Sequence, residues 1–217
     1  MAATRIYAAP TLSPGWQGGR GPLSILPAAI FRDRQPWIAI LIGWVLTIVG
    51  STLLSYVIAW LAPDNAGPDL GDTSGPVKLF LIAGFSPVVE TLIMAGILAI
   101  LLRLLGGWQA VIASAAIWGV LHSLASPLWG AVIWWPFLIF STLYVTWRPH
   151  GFWKAVTIVT TVHVLQNLFP AILIVLGHRP HHACRRGTCR SYRRACNHEA
   201  GGATTVSDDN IGVGSGP

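Results

Sequence analysis

Five long apolar runs, separated by short polar breaks, fill the chain between Trp37 and Gly177. The first, Trp37 to Ala62, has 26 residues without a charge, enough to cross a hydrocarbon core of roughly 30 Å at 1.5 Å per residue with some tilt. The stretch from Pro63 to Pro76 sets Asp64, Asp69 and Asp72 among glycines and prolines, a composition that breaks helices and stays in water. The second run, Leu79 to Leu105, is apolar except for Glu90 and the terminal Arg103 and stops at Gly106-Gly107; a kink is expected at Pro87. Three further runs cover about 108–125, 128–147 and 152–176. The pattern predicts an all-α, polytopic transmembrane helix bundle of about five spans. The turns after the second run are short, so consecutive helices are expected to run antiparallel. Trp108, Trp129, Trp147 and Trp153 fall near expected helix ends, where an aromatic belt would place them.

Composition agrees with this reading. Charged residues make up 10% of the 217 and mean hydropathy is +0.59, too little polar surface to coat a water-soluble globule of this size, so lipid must cover much of the chain. The formal charge of +6 is confined to ends and loops, with Arg5, Arg20, Arg32 and Arg34 before the first run and six arginines after the last. That distribution suits anionic headgroups better than a nucleic-acid groove, and no nucleic-acid partner is expected. No compact apolar run with a small-residue cleavage site follows Met1, so residues 1–36 read as a flexible Pro/Gly-rich arm and not as a cleaved signal. With the N-terminus placed inside, basic residues divide equally between the two sides, and the positive-inside rule assigns no orientation. Residues 178–217 read as a disordered basic tail. Its Cys184, Cys189 and Cys196 with His181, His182 and His198 match no standard zinc spacing, and three cysteines close no disulfide scheme.

Ionisable groups at the centre of a bilayer cost about 2.5 to 3.5 kcal/mol each on insertion scales, so those that persist have a task or a partner. Apart from Arg103, the run interiors contain three, namely Glu90, His122 and His163, with the amides Gln166 and Asn167 close by. Counted at 1.5 Å per residue from one membrane side, Glu90, His122, His163 and Asn167 lie at roughly 17 to 22 Å, in one layer. His163 and Asn167 are four apart and share a helix face. A carboxylate, two imidazoles and a carboxamide in one low-dielectric layer make a hydrolytic site: Glu90 to take a proton from water, a histidine to share that water or hold a metal, Asn167 to donate to a developing oxyanion. Singly, such groups more often just bridge helices; together at one depth they favour a site. Ala115, Gly119 and Ser123 form a small-residue stripe beside His122, read as a packing face.

At these residues the chain resembles the CPBP family of intramembrane metalloproteases, which includes CAAX prenyl proteases and relatives linked to bacteriocin self-immunity. The family's first motif, approximately Pro-x-x-Glu-Glu-x-x-x-Arg-Gly, stands here as Pro87-Val88-Val89-Glu90-Thr91-Leu92-Ile93-Met94-Ala95-Gly96. The second, an aromatic residue four before a histidine, is Trp118 to His122, and the third, His-x-x-x-Asn, is His163 to Asn167. The resemblance covers about 83–176 and implies that Glu90 is the water-activating glutamate and that His122, His163 and Asn167 complete the catalytic set. The departures are Thr91 for the second Glu and Ala95 for the Arg; losing a buried acid and a buried base together leaves no unmatched charge, as in a divergent subgroup.

The expectation is therefore a site-bearing bundle over 37–177 that acts as an intramembrane endopeptidase, cutting a peptide or protein substrate that is membrane-embedded or lipidated, in a bacterial-type cytoplasmic membrane. Zinc held by Glu90, His122 and His163 and a metal-free, Glu90-activated water are both open, since Glu90 cannot easily be tight ligand and free base at once. Two other functions use the same residues: a non-catalytic binding or immunity protein, and a transporter component with Glu90, His122 and His163 as a proton relay.

Overall fold

A computed structural model describes residues 12–63 and 75–177. The described residues are helical with no strand. The long helices are α1 (Pro36–Leu61), a helix that begins as α2 (Gly75–Phe80) and continues through a π-turn (Leu81–Phe85) into α3 (Ser86–Leu104), α4 (Gly107–Ser123), α5 (Trp129–Trp147) and α6 (Phe152–Gly177). The expected all-α bundle of about five spans is what the chain forms. Four of these helices are long and apolar enough to cross a membrane. The other, α4, has 17 residues and at 1.5 Å per residue covers about 25 Å, the short end of a span. It stops before the expected boundary because Pro127 has no N–H for a continuing ladder and disfavours helix just ahead of it.

α5 forms the centre of the bundle: every side chain from Pro136 to Trp147 is buried. Its neighbours reach it through small residues, because without a hydrophobic drive in lipid close backbone approach supplies much of the attraction. α1 turns Ala39, Gly43 and Thr47 inward, and a Cβ at Gly43 would meet Leu143 at 2.8 Å. Two turns on from Gly43, the Trp135 indole lies over Gly50 and donates to the Leu46 carbonyl at 2.8 Å. α4 crosses α5 at Gly119 and Gly130, where a Cβ on Gly119 would lie 3.2 Å from the Gly130 carbonyl oxygen. The stripe read as a packing face in the sequence is this crossing. Hydroxyls in the centre are paired within it: Ser141 Oγ donates to Ser114 Oγ at 3.0 Å, and Thr142 Oγ1 returns to the Leu138 carbonyl at 2.7 Å.

The N-terminal arm requires a correction. From Pro14 to Phe31 it makes three 3-10 turns, Pro14–Trp16, Gly21–Ile25 and Ala28–Phe31, and lies against one end of the bundle. Trp16, Leu23, Leu26, Ile30 and Phe31 are buried. Trp16 Nε1 donates to Thr146 Oγ1 at 2.8 Å, and the Trp16 and Phe31 rings meet edge to face at 5.0 Å. Its Pro and Gly residues prevent long helix but not burial, and the five buried apolar side chains offset part of the ordering cost of the segment. Residues 64–74 and the 178–217 tail, with its cysteines and histidines, lie outside the described residues.

Candidate functional site

The irregular start of the second membrane helix sets the site. Pro87 lacks an N–H, so the turn before it widens: Ser86 N–H bonds to the Leu81 carbonyl in π register. In that register the Ile82 carbonyl would look to residue 87 for a donor, and proline has none. The amide of Asn167, on α6, supplies it, with Nδ2 donating to the Ile82 oxygen at 3.2 Å. The kink expected at Pro87 is thus a π-turn bridged to another helix. One of the two Nδ2 hydrogens remains for the cavity.

Directly after this turn α3 carries Glu90. Ser86, four residues earlier on the same face, donates its hydroxyl to Glu90 Oε1, which leaves Oε2 as the outward oxygen. Glu90 Oε2 lies 3.7 Å from His163 Nε2, with side chains 21% and 4% exposed. Two atoms at that separation can both hydrogen-bond to one water at about 2.8 to 3.0 Å. The other ring nitrogen, His163 Nδ1, shares a 3.3 Å hydrogen bond with Thr91 Oγ1. Thr91, which stands where the resembled motif has a second Glu, is fully buried and orients the histidine. His163 is flanked by Phe140 and Phe137 at ring distances of 4.5 and 5.4 Å.

His122 comes from the last turn of α4. Its Nδ1–H donates to the Trp118 carbonyl at 2.9 Å, so Nε2 is the free nitrogen. Phe137 touches it at 5.8 Å between ring centres and stacks on Trp118 at 4.3 Å, so one phenyl ring abuts both imidazoles.

Glu90, His122, His163 and Asn167 all line a single cavity of about 930 Å³, the upper end of the range for small-molecule sites. The four residues singled out in the sequence are therefore brought together from α3, α4 and α6. The sequence reading did not assign roles to Thr91, Ser86 or Phe137. Of these Ser86 carried a signal, its spacing of four from Glu90, whereas Phe137 is one aromatic among many on α5. Among the described residues no three of His, Cys, Asp and Glu stand close enough to form a ready metal site. The donor types do suit zinc: both histidines tie Nδ1 to protein oxygen and present Nε2, as ligating histidines do. No family model, curated protein or solved structure matches the chain.

Proposed function

We propose that this protein is an intramembrane endopeptidase of the CPBP type, hydrolysing a peptide bond of a membrane-embedded or lipidated substrate inside the 930 Å³ cavity, in a bacterial-type cytoplasmic membrane. The observation that carries the reading is the Glu90 Oε2 to His163 Nε2 approach of 3.7 Å at the wall of that cavity. A carboxylate and an imidazole that reach the same point can hold one water and direct it. With Oε1 engaged by Ser86, Oε2 takes a proton from the water as its oxygen bonds to the substrate carbonyl carbon. The carbonyl electron pair moves to oxygen, where the second Asn167 N–H donates to it. The carbon–nitrogen bond then breaks and the proton on Glu90 passes to the leaving amine. His122, its Nδ1–H donating to the Trp118 carbonyl, lines the cavity and offers Nε2 as an acceptor.

Zinc, if bound, would need Glu90, His122 and His163 to draw closer than they stand here, and would then supply Lewis acidity to water and carbonyl; the same side chains act on a metal-free water through Glu90. The test is cleavage of apolar peptides by purified protein in lipid, wild type against Glu90→Gln. Binding without any cleavage would favour the non-catalytic partner, and pH-driven flux across vesicles the proton relay.

A further inference from the structure

The end of the bundle that carries the N-terminal arm gathers cations. The arm, the last turn of α3, the turn between α5 and α6 and the start of α6 meet there, and they bring Arg20, Arg32, Arg34, Arg103, Arg148 and Lys154. The opposite end, where α1 stops and α2 begins, has one described cation, Lys78. Asp33 is the one acid at the arm end among the described residues, and His150 Nε2 engages it at 2.6 Å. None of the six cations is ion-paired among the described residues.

Two of the six rest on aromatic faces. The Arg20 guanidinium lies 4.7 Å over Phe31, and Lys154 Nζ lies 5.2 Å over Trp147. Arg148 differs, because it lines a crevice of about 460 Å³ between the arm and the helix ends. The other walls include Gly15 of the arm, Leu102 and Leu105 at the end of α3, Gly107 of α4 and Val145 of α5. Arm and α4 meet here through backbone, a Cβ at Gly107 lying 3.0 Å from the Gly15 carbonyl oxygen.

Place and lining together select the ligand. The ends of membrane helices lie at headgroup depth, and Trp37 and Trp153 at this end are 62% and 70% exposed, as indoles of an interfacial belt are. A guanidinium grips a phosphate through two parallel N–H donors. Leu102 and Leu105 give the same crevice an apolar wall. A soluble phosphate gains nothing from the leucines, and a zwitterionic headgroup brings a cation of its own among six others. A phosphate that carries acyl chains and a net negative charge suits both walls, as in other basic pockets between membrane helices.

We propose that this crevice binds the headgroup of one anionic phospholipid, its phosphate on Arg148 and the start of its acyl chains on Leu102 and Leu105, so that the lipid bridges the arm and the ends of α3 and α5. The site shares no lining residue with the Glu90–His163 cavity and stands whether or not that cavity cleaves peptides.

The experiment counts lipid bound to the full-length protein by native mass spectrometry, during titration with phosphatidylglycerol or phosphatidylcholine in about 0.3 M ammonium acetate, which confines interactions between exposed charges to about 6 Å. Wild type is expected to take up one phosphatidylglycerol saturably, at least about tenfold tighter than phosphatidylcholine. Arg148→Gln is expected to lose about tenfold in phosphatidylglycerol affinity, the value of one charged hydrogen-bonded contact. Arg34→Gln, an exposed cation of the same end outside the crevice, should lose less than about twofold. Both positions are exposed, so neither variant is expected to disturb folding. Equal binding of the two lipids, or equal losses in the two variants, overturns the site in favour of diffuse charge. Displacement of the lipid by glycerol 3-phosphate or by an acidic peptide at matched concentration overturns it in favour of a soluble phosphate or a protein partner.

Discussion

Asn167 Nδ2 donates at 3.2 Å to the Ile82 carbonyl, the acceptor that Pro87 leaves without a backbone donor. The amide therefore has two tasks that a double substitution separates. Asn167→Ala is expected to lower stability by about 1 to 3 kcal/mol, through the orphaned carbonyl, and kcat on the order of 10²-fold, through the lost oxyanion donor. Adding Pro87→Ala returns a backbone N–H for Ile82. The double variant should regain thermal stability and not turnover. Recovery of both would make Asn167 a helix-bridging amide only.

Thr91 fixes His163 through Nδ1. Thr91→Val keeps the volume and deletes the hydroxyl, and kcat is expected to fall about 10- to 100-fold, as when outer partners of a site histidine are removed. Thr91→Ser should restore most of it. Equal turnover in the Val and Ser variants, measured at matched folded fraction, would assign Thr91 to packing.

The crossing of α4 on α5 positions His122. A Cβ at Gly130 would run into the Gly119 carbonyl and the Ser123 hydroxyl, so Gly130→Ala should cost about 1 to 3 kcal/mol by overpacking and reduce activity by displacing α4. Gly96→Ala is the control: nothing lies within 4 Å of its Cβ, and helix propensity alone should give about 0.5 to 1 kcal/mol of added stability. Thermal unfolding in detergent reads both.

Trp16 anchors the N-terminal turns through full burial and the Thr146 bond. Trp16→Ala is expected to destabilise by about 3 to 5 kcal/mol, and proteolysis near the N-terminus should become faster. A protease-resistant Trp16→Ala protein with unchanged unfolding temperature would return residues 12–36 to the status of a loose arm.

The helices were legible in the sequence because a bilayer imposes length and excludes charge, so Trp37 and Leu105 mark ends almost as clearly as caps do. Glu90, His122, His163 and Asn167 were legible for the same reason: polar groups are conspicuous among Leu, Ile and Val. Their partners were not. Thr91 and Ser51 are hydroxyls of ordinary membrane helices, and only helix rotation reveals that one meets His163 and the other Gln166. The π-turn was hidden because Pro87 signals a kink but not which distant side chain serves the carbonyl it orphans. The arm was misread because Gly and Pro dominated the reading of residues 12–31, although Trp16, Ile30 and Phe31 were there to be buried.

The central claim is that Glu90 activates a water at the point where it meets His163. Single-turnover cleavage of an apolar peptide in lipid, by wild type and by Glu90→Gln at equal peptide occupancy, tests it most directly. Gln keeps the shape and the Ser86 contact but cannot take a proton, so the account predicts unchanged peptide binding and a cleavage rate lower by at least about 10²-fold. Cleavage by Glu90→Gln at the wild-type rate would contradict it.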